Sequence, residues 1–285
     1  MSVSTDETFC ADLVRTRDFV AYAASLFVPP PVRRGWLAVA AFNAEVAHVR
    51  DHVSQPLPGE IRLQWWRDLL SGEGRDGGRG DAQASPVAAE LLRAVAEHGL
   101  PVETLVRLID AHVFDVYDDP MPDIAALEAH CRDTAAALYA LRARIAGTSS
   151  GDVTRAAEHA GIADGLVDAM LLLPRHAARH QLYLPGDLMA VHNVAADAVF
   201  RREAGAPLNA VLAHLRGEAR TQMDAALAML GDLPLPARAS FLPLAMTRRT
   251  LRLLESADPF APPLPSRLAT LWTLWRAASR KPFKA

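Results

Sequence analysis

Gly161-Ile162-Ala163-Asp164-Gly165-Leu166-Val167-Asp168, followed by Pro174-Arg175-His176 and Leu182-Tyr183-Leu184-Pro185, is the stretch on which the fold is decided. Residues 152–173 keep helical spacing and are rich in glycine and alanine, which lets a neighbouring backbone or a ligand chain approach closely. Pro174 has no N–H to give and clashes with the preceding turn, so the helix ends or kinks there. Arg175, His176, Arg179 and His180 follow at once, a cluster able to fix a phosphate or to form a solvated face.

Outward from this segment the pattern stays helical. Stretches at 9–27, 33–54, 61–70, 123–147, 195–204, 207–230, 234–256 and 265–279 carry alanine and leucine at helical spacing, with proline or glycine punctuation between them. Pro86 and Pro101 each open a further helix at its first turn, where the missing N–H costs nothing. Alternating β-branched runs are scarce, so no sheet is expected. The glycine-rich, charged stretch at 72–85 reads as a flexible surface loop too short to separate a pair of domains. The expectation is an all-α fold, one domain over 1–285.

Composition narrows the function classes. A content of 51% hydrophobic and 22% charged residues fits an ordinary globular chain with a sizeable core. A net charge of -3 gives no electrostatic reason to expect nucleic acid. Lys281 and Lys284 are the only lysines, so the positive charge is nearly all arginine, which a GC-rich genome would also produce. Cys10 and Cys131 stand far apart without metal-type spacing, which points to a reducing compartment. Residues 1–8 are polar and acidic, unlike a secretory signal, and no apolar run is long enough to span a bilayer. The expected location is the cytoplasm, at most peripheral on the inner membrane.

A second stretch of chemical interest lies inside an apolar helix: Ala41-Phe42-Asn43-Ala44-Glu45-Val46-Ala47-His48-Val49-Arg50-Asp51. Polar groups there need partners, from neighbouring helices or from a ligand. His48 and His52 are four apart, as are His176 and His180, a spacing that zinc or iron could use and that also arises by coincidence. Trp65 and Trp66 cannot face one way on a helix, so one belongs to the core and the other is free for a partner. Trp272 and Trp275 make an apolar face beside Arg276, Arg280, Lys281 and Lys284, which suits either packing on the core or docking on an anionic membrane. Asp118-Asp119-Pro120 reads as a turn.

Together these segments resemble the squalene/phytoene synthase family. Tyr183-Leu184-Pro185 behind a Gly-x-Ala-x-x-Leu helix carries the resemblance. Phe27 to Pro30 with Arg33 and Arg34 resembles the family's entry to its first catalytic helix, and Asp115 to Tyr117, 124–131 and the helix to Gly147 resemble its central region. The likeness runs from about residue 18 to 255. It implies one all-α domain around a central cavity, where two aspartate-rich motifs on facing helices hold magnesium for the diphosphates of two prenyl substrates. Magnesium is a hard cation that takes carboxylate and phosphate oxygens, and carboxylates three or four residues apart share one helical face.

On those motifs this chain departs from the family. Where the first reads Asp-Asp-x-x-Asp, the chain reads Ala47-His48-Val49-Arg50-Asp51, keeping only Asp51. With Tyr183-Leu184-Pro185 fixed, the second motif falls on Asp168 to His176: Asp168 at the asparagine, Leu171 at the arginine, Leu172 and His176 at the two aspartates. Leucine cannot ligate magnesium and neutral histidine is a poor ligand for it.

The departures resemble a subgroup regarded as non-catalytic, the mitochondrial complex I assembly factor with this fold and its bacterial relatives. Phe42-Asn43-Ala44-Glu45, Arg62-Leu63-Gln64-Trp65-Trp66-Arg67 and Leu173-Pro174-Arg175-His176 carry that likeness. It implies an assembly factor with respiratory complex I subunits or assembly proteins as partners, or a protein binding a prenyl or quinone-like lipid. The alternative is an active prenyl transferase of isoprenoid biosynthesis with altered motifs, which alone would need magnesium; otherwise no cofactor and no metal site is expected. The candidate cavity residues are Asn43, Ala47, His48, Asp51, Asp168, Leu172, His176, Arg179 and Tyr183, and the candidate partner surface is Trp65, Trp66 and Arg67.

Overall fold

The computed structural model describes residues 5–53, 55–72, 85–117 and 119–283. Among them there is no strand, and helices follow one another throughout. The expected flexible loop at 72–85 lies outside the described residues except for its ends, Gly72 and Ser85. Asp118 of the expected turn also lies outside them, while Asp119 sits in irregular chain.

Two long helices organise the molecule. The 21-residue Gly151–Leu171 helix lies along the 25-residue Ala206–Leu230 helix. The Pro30–Ala47 helix packs against Thr5–Arg17, Phe19–Ser25 and Pro86–His98. Ala137–Ile145 touches both long systems and bridges them. One contiguous buried cluster extends from Cys10 to Phe283. Its largest fully enclosed side chains are Trp66, Tyr139, Phe42 and Phe241. Phe42 meets Trp66 edge-on at 5.0 Å, and Tyr139 stacks on Phe241 at 5.6 Å.

Arginine side chains fix helix ends and helix pairs. Arg33 donates to the carbonyls of Ser25 (2.9 Å) and Val28 (3.2 Å), satisfying groups that the end of Phe19–Ser25 leaves open. Arg34 grips the buried Glu90 with two bonds of 2.8 and 2.6 Å, tying Pro30–Ala47 to Pro86–His98.

Several expected boundaries move. The helix expected over 9–27 breaks at Asp18, whose carboxylate caps Phe19–Ser25 by accepting from the Ala21 N–H at 2.9 Å. The one expected over 33–54 ends at Ala47, and Val49–His52 continues as a single 3₁₀ turn. Helix 61–70 starts earlier, at Pro56, a residue suited to a first turn. The 234–256 stretch splits into Leu235–Ser240 and Leu244–Leu253 around Pro243. Residues 195–204 shorten to Ala196–Phe200, and a short helix not foreseen covers Gly186–Val191.

The 123–147 stretch holds an α-helix over Ile124–Cys131, a π turn over Arg132–Ala136 and a second α-helix over Ala137–Ile145. The glycines of the opening stretch lie against this segment. A Cβ added at Gly161 would fall 2.2 Å from backbone atoms of Ala136, and one at Gly165 would fall 2.3 Å from the Cys131 sulfur. Only glycine permits this approach.

Candidate functional site

A cavity of about 490 Å³ opens between the Pro30–Ala47 and Gly151–Leu171 helices, within the size range of ligand sites. Its wall includes all nine candidate cavity residues: Asn43, Ala47, His48, Asp51, Asp168, Leu172, His176, Arg179 and Tyr183. Apolar atoms from Val20, Leu127, Leu138, Val167 and Met246 complete much of the lining.

Local breaks in the helices bring the polar residues in. After Ala47 the chain tightens into the 3₁₀ turn, which carries Asp51 to the cavity. Leu172 separates Gly151–Leu171 from Leu173–Ala178, and Pro174 occupies the first turn of the second helix. That break brings Arg175, His176 and Arg179 to face Asp51. Arg175 donates to one carboxylate oxygen of Asp51 and Arg179 to the other. Burial pushes the Asp51 carboxyl up, but these two hydrogen bonds outweigh it and hold the pKa below the usual range. His48 approaches the same carboxylate at 4.0 Å and is held neutral mainly by burial.

A second polar group sits beside it. At His180 the backbone adopts φ 57, and the chain then runs extended so that the Met121 N–H donates to the Leu182 carbonyl at 2.9 Å. This places Tyr183, whose hydroxyl donates to Asp115. His112 Nδ1 lies 2.6 Å from the same carboxylate, and Gln181 donates to the Asp115 carbonyl at 2.9 Å. Burial pushes the enclosed Asp115 carboxyl up, but the His112, His130 and Tyr183 contacts outweigh it, so it remains ionised. The Tyr183 ring lies 4.5 Å from that of His176 and 5.8 Å from that of His130. Burial lowers His130 and takes His176 down to about 4.

Asp164 and Asp168, one turn apart, form the third group. Thr247 donates to Asp164 at 2.5 Å and Tyr139 at 3.3 Å. Asp168 opens onto the cavity. Burial raises both carboxyls, Asp168 well above the ordinary range, and each is near Asp18. Two raised carboxyls this close favour sharing a proton over both being ionised.

At the positions where the family's motifs would place magnesium ligands, the side chains do not suit that ion. Both Asp51 oxygens are taken by guanidinium groups, Ala47 and Leu172 offer no ligand atom, and His176 is an imidazole. Among the described residues no group of three or more His, Cys, Asp or Glu is placed to hold a metal ion. His52 and His180 stay outside the cavity and are exposed, His180 against Phe200, so the two histidine pairs do not converge.

Arg175 and Arg179 are a counter-ion clamp on Asp51 rather than a solvated face. The partner surface needs correction at Trp66, which is fully buried against Phe42 and Trp65 and cannot meet a partner. Trp65 is half-buried at the core's edge, and Arg67 is ion-paired with Asp110. Sequence reasoning passed over His112, Asp115, His130, Asp164 and Gln181 as site residues. The i, i+3 spacing of His112 and Asp115 was the one local signal for them.

The fold and the family are both visible in known proteins. A squalene synthase from Alicyclobacillus acidocaldarius superposes with a TM-score of 0.73 at 22% identity, covering 90% of this chain and 95% of that one. A dehydrosqualene synthase solved with a ligand superposes with a TM-score of 0.80 at 16% identity, covering 96% and 95%. In sequence, complex I assembly factor 6 of Rattus norvegicus is 30% identical over 250 residues, 88% of this chain and 74% of that protein. The family described as squalene/phytoene synthase matches residues 14–276, and the chain belongs to that family.

Proposed function

We propose that this chain is a non-catalytic assembly factor for respiratory complex I, acting in the cytoplasm or at the inner membrane surface, whose cavity holds a prenyl or quinone-like lipid. The observation that carries this reading is the clamp on Asp51. A diphosphate site of the family's kind needs carboxylates free to take magnesium, and here the retained carboxylate already has two fixed cations. Ala47, Leu172 and His176 stand where further ligands are needed, so the departures from the motifs fall together in space. The similarity to a protein named as a complex I assembly factor supports the assembly role. The apolar lining around a few polar groups supports a lipid with a small polar head.

The test is direct. Purified protein incubated with farnesyl or geranylgeranyl diphosphate and magnesium is expected to release no diphosphate, and turnover would establish an active prenyl transferase instead. In the source organism, removal of the gene is expected to lower assembled NADH dehydrogenase on native gels. Unchanged assembly removes the assembly role. Mass spectrometry of the native protein reads the lipid: absence of bound lipid, with no uptake of a prenyl analogue, removes the ligand.

A further inference from the structure

The Arg267–Ala278 helix turns only one side to the core. Thr270 and Leu274 are buried, while Leu268, Trp272 and Trp275 point outward with 79%, 59% and 53% of their surface exposed. Leu264, just before the helix, is 75% exposed. Positions 268, 272 and 275 recur at helical spacing, so they form one strip, and the two indole rings stack at 5.0 Å. Single exposed apolar residues are ordinary, but a contiguous aromatic strip marks a contact surface.

Charge decides what the strip meets. From Pro259 to Ala285 there is no Asp or Glu, while Arg267, Arg276, Arg280, Lys281 and Lys284 are all basic. Both lysines of the chain are in this segment, in a protein whose net charge is -3. Arg276, Arg280 and Lys281 are exposed. Arg267 is engaged over the Phe19 ring at 4.9 Å. A second copy docking through the same strip would set these cations against their own equivalents, an arrangement that like charge opposes. Indole rings on an apolar face with cations at its edge and end suit the headgroup layer of a bilayer.

We propose that the Arg267–Ala278 helix docks the protein on an anionic lipid surface, with Leu268, Trp272 and Trp275 in the headgroup layer and Arg276, Arg280 and Lys281 on lipid phosphates. The helix is continuous with the cavity wall. Pro265, two residues before it, lines the cavity, and the Phe19–Ser25 helix against which it packs contributes Val20 and Ala21. Docking there sets that side of the cavity towards the lipid phase, a route for an apolar ligand that never crosses water. The helix does not span the bilayer: no described helix is long and apolar enough to do so.

The experiment is co-sedimentation of the full chain with vesicles of phosphatidylcholine alone and of equimolar phosphatidylcholine and phosphatidylglycerol. Binding is expected only to the anionic vesicles, with a blue shift of tryptophan fluorescence and release by salt. Trp272→Ser with Trp275→Ser lowers the partition coefficient by more than about tenfold. Arg276→Gln with Arg280→Gln lowers it by about an order of magnitude. All four positions are exposed, so unchanged circular dichroism and melting are expected in both variants. Wild-type protein remaining in the supernatant with anionic vesicles overturns the proposal. So does a tryptophan double variant that sediments like wild type. A concentration-dependent dimer that the tryptophan variant loses, with no vesicle binding, overturns it in favour of self-contact.

Discussion

The Gly151–Leu171 helix turns one face inward, part of it closed by a neighbouring backbone and the adjoining part open on the cavity. In the closed part, Gly161 and Gly165 touch Ala136 and Cys131 so closely that no side chain fits. In the open part, Asp168 faces the cavity beside Asp164, which Thr247 and Tyr139 hold, and the chain continues to Leu172 and His176 on the same wall. The closed part needs small residues because a backbone lies against it, while the open part carries aspartate, leucine and histidine side chains whose charge packing does not set. Substitution in the open part alters electrostatics and leaves packing nearly untouched, so the fold's packing and its cavity's charge can change independently.

Four measurements would break or sharpen this contrast. Gly161→Leu is expected to cost at least about 3 kcal/mol in urea unfolding, because the new atoms fall on backbone that cannot yield. A loss below about 1 kcal/mol would mean that the seam can spread.

The open part should instead show itself in pH. His176 is held neutral down to about 4 against an ordinary 6.5. Between those values the unfolded chain takes up a proton that the folded one refuses, so stability falls as pH drops through that window. The effect is about 3 kcal/mol, and His176→Phe, which preserves the ring contact with Tyr183, should flatten the slope. His48 and His130, lowered chiefly by burial, retain some of it. A variant with an unchanged slope removes His176 from the account.

Asp51→Ala should cost about 1–2 kcal/mol, moderated by solvent because the arginines are partly exposed. It should also free Arg175 and Arg179 for anions. Calorimetry with inorganic diphosphate should then detect binding that wild type lacks; equal binding in both would show that the clamp does not close the site. The smallest effect is expected at Asp168. Its carboxyl is raised above the ordinary 3.8, so its folded-state advantage exists when protonated and is lost as pH rises through the folded value. Asp168→Asn should therefore raise the melting temperature at high pH and leave it unchanged near the ordinary carboxylate range. Destabilisation at high pH would mean that the ionised form is the one the fold wants.

The helical character and the cavity wall were legible because glycine, proline and Tyr183-Leu184-Pro185 fix spacing locally. The break at Asp18 was not, since apolar periodicity continues on both sides and only the capping bond to Ala21 reveals it. The pair Trp65-Trp66 announced that the rings diverge but not which one enters the core. Asp115 and His130 join Tyr183 from separate helices, and no sequence spacing connects them.

The π turn at Arg132–Ala136 has one more consequence. A π turn is one residue longer than the α-turn it replaces, so it acts as an insertion absorbed without a loop. Winding those five residues as regular α-helix without removing one would rotate the downstream helix by roughly 100°. Tyr139 and Arg142 would then swing off the cavity wall while the upstream half stayed in place. In an alignment of relatives, a one-residue gap here would mark a chain that winds a plain α-helix and keeps that side of the cavity.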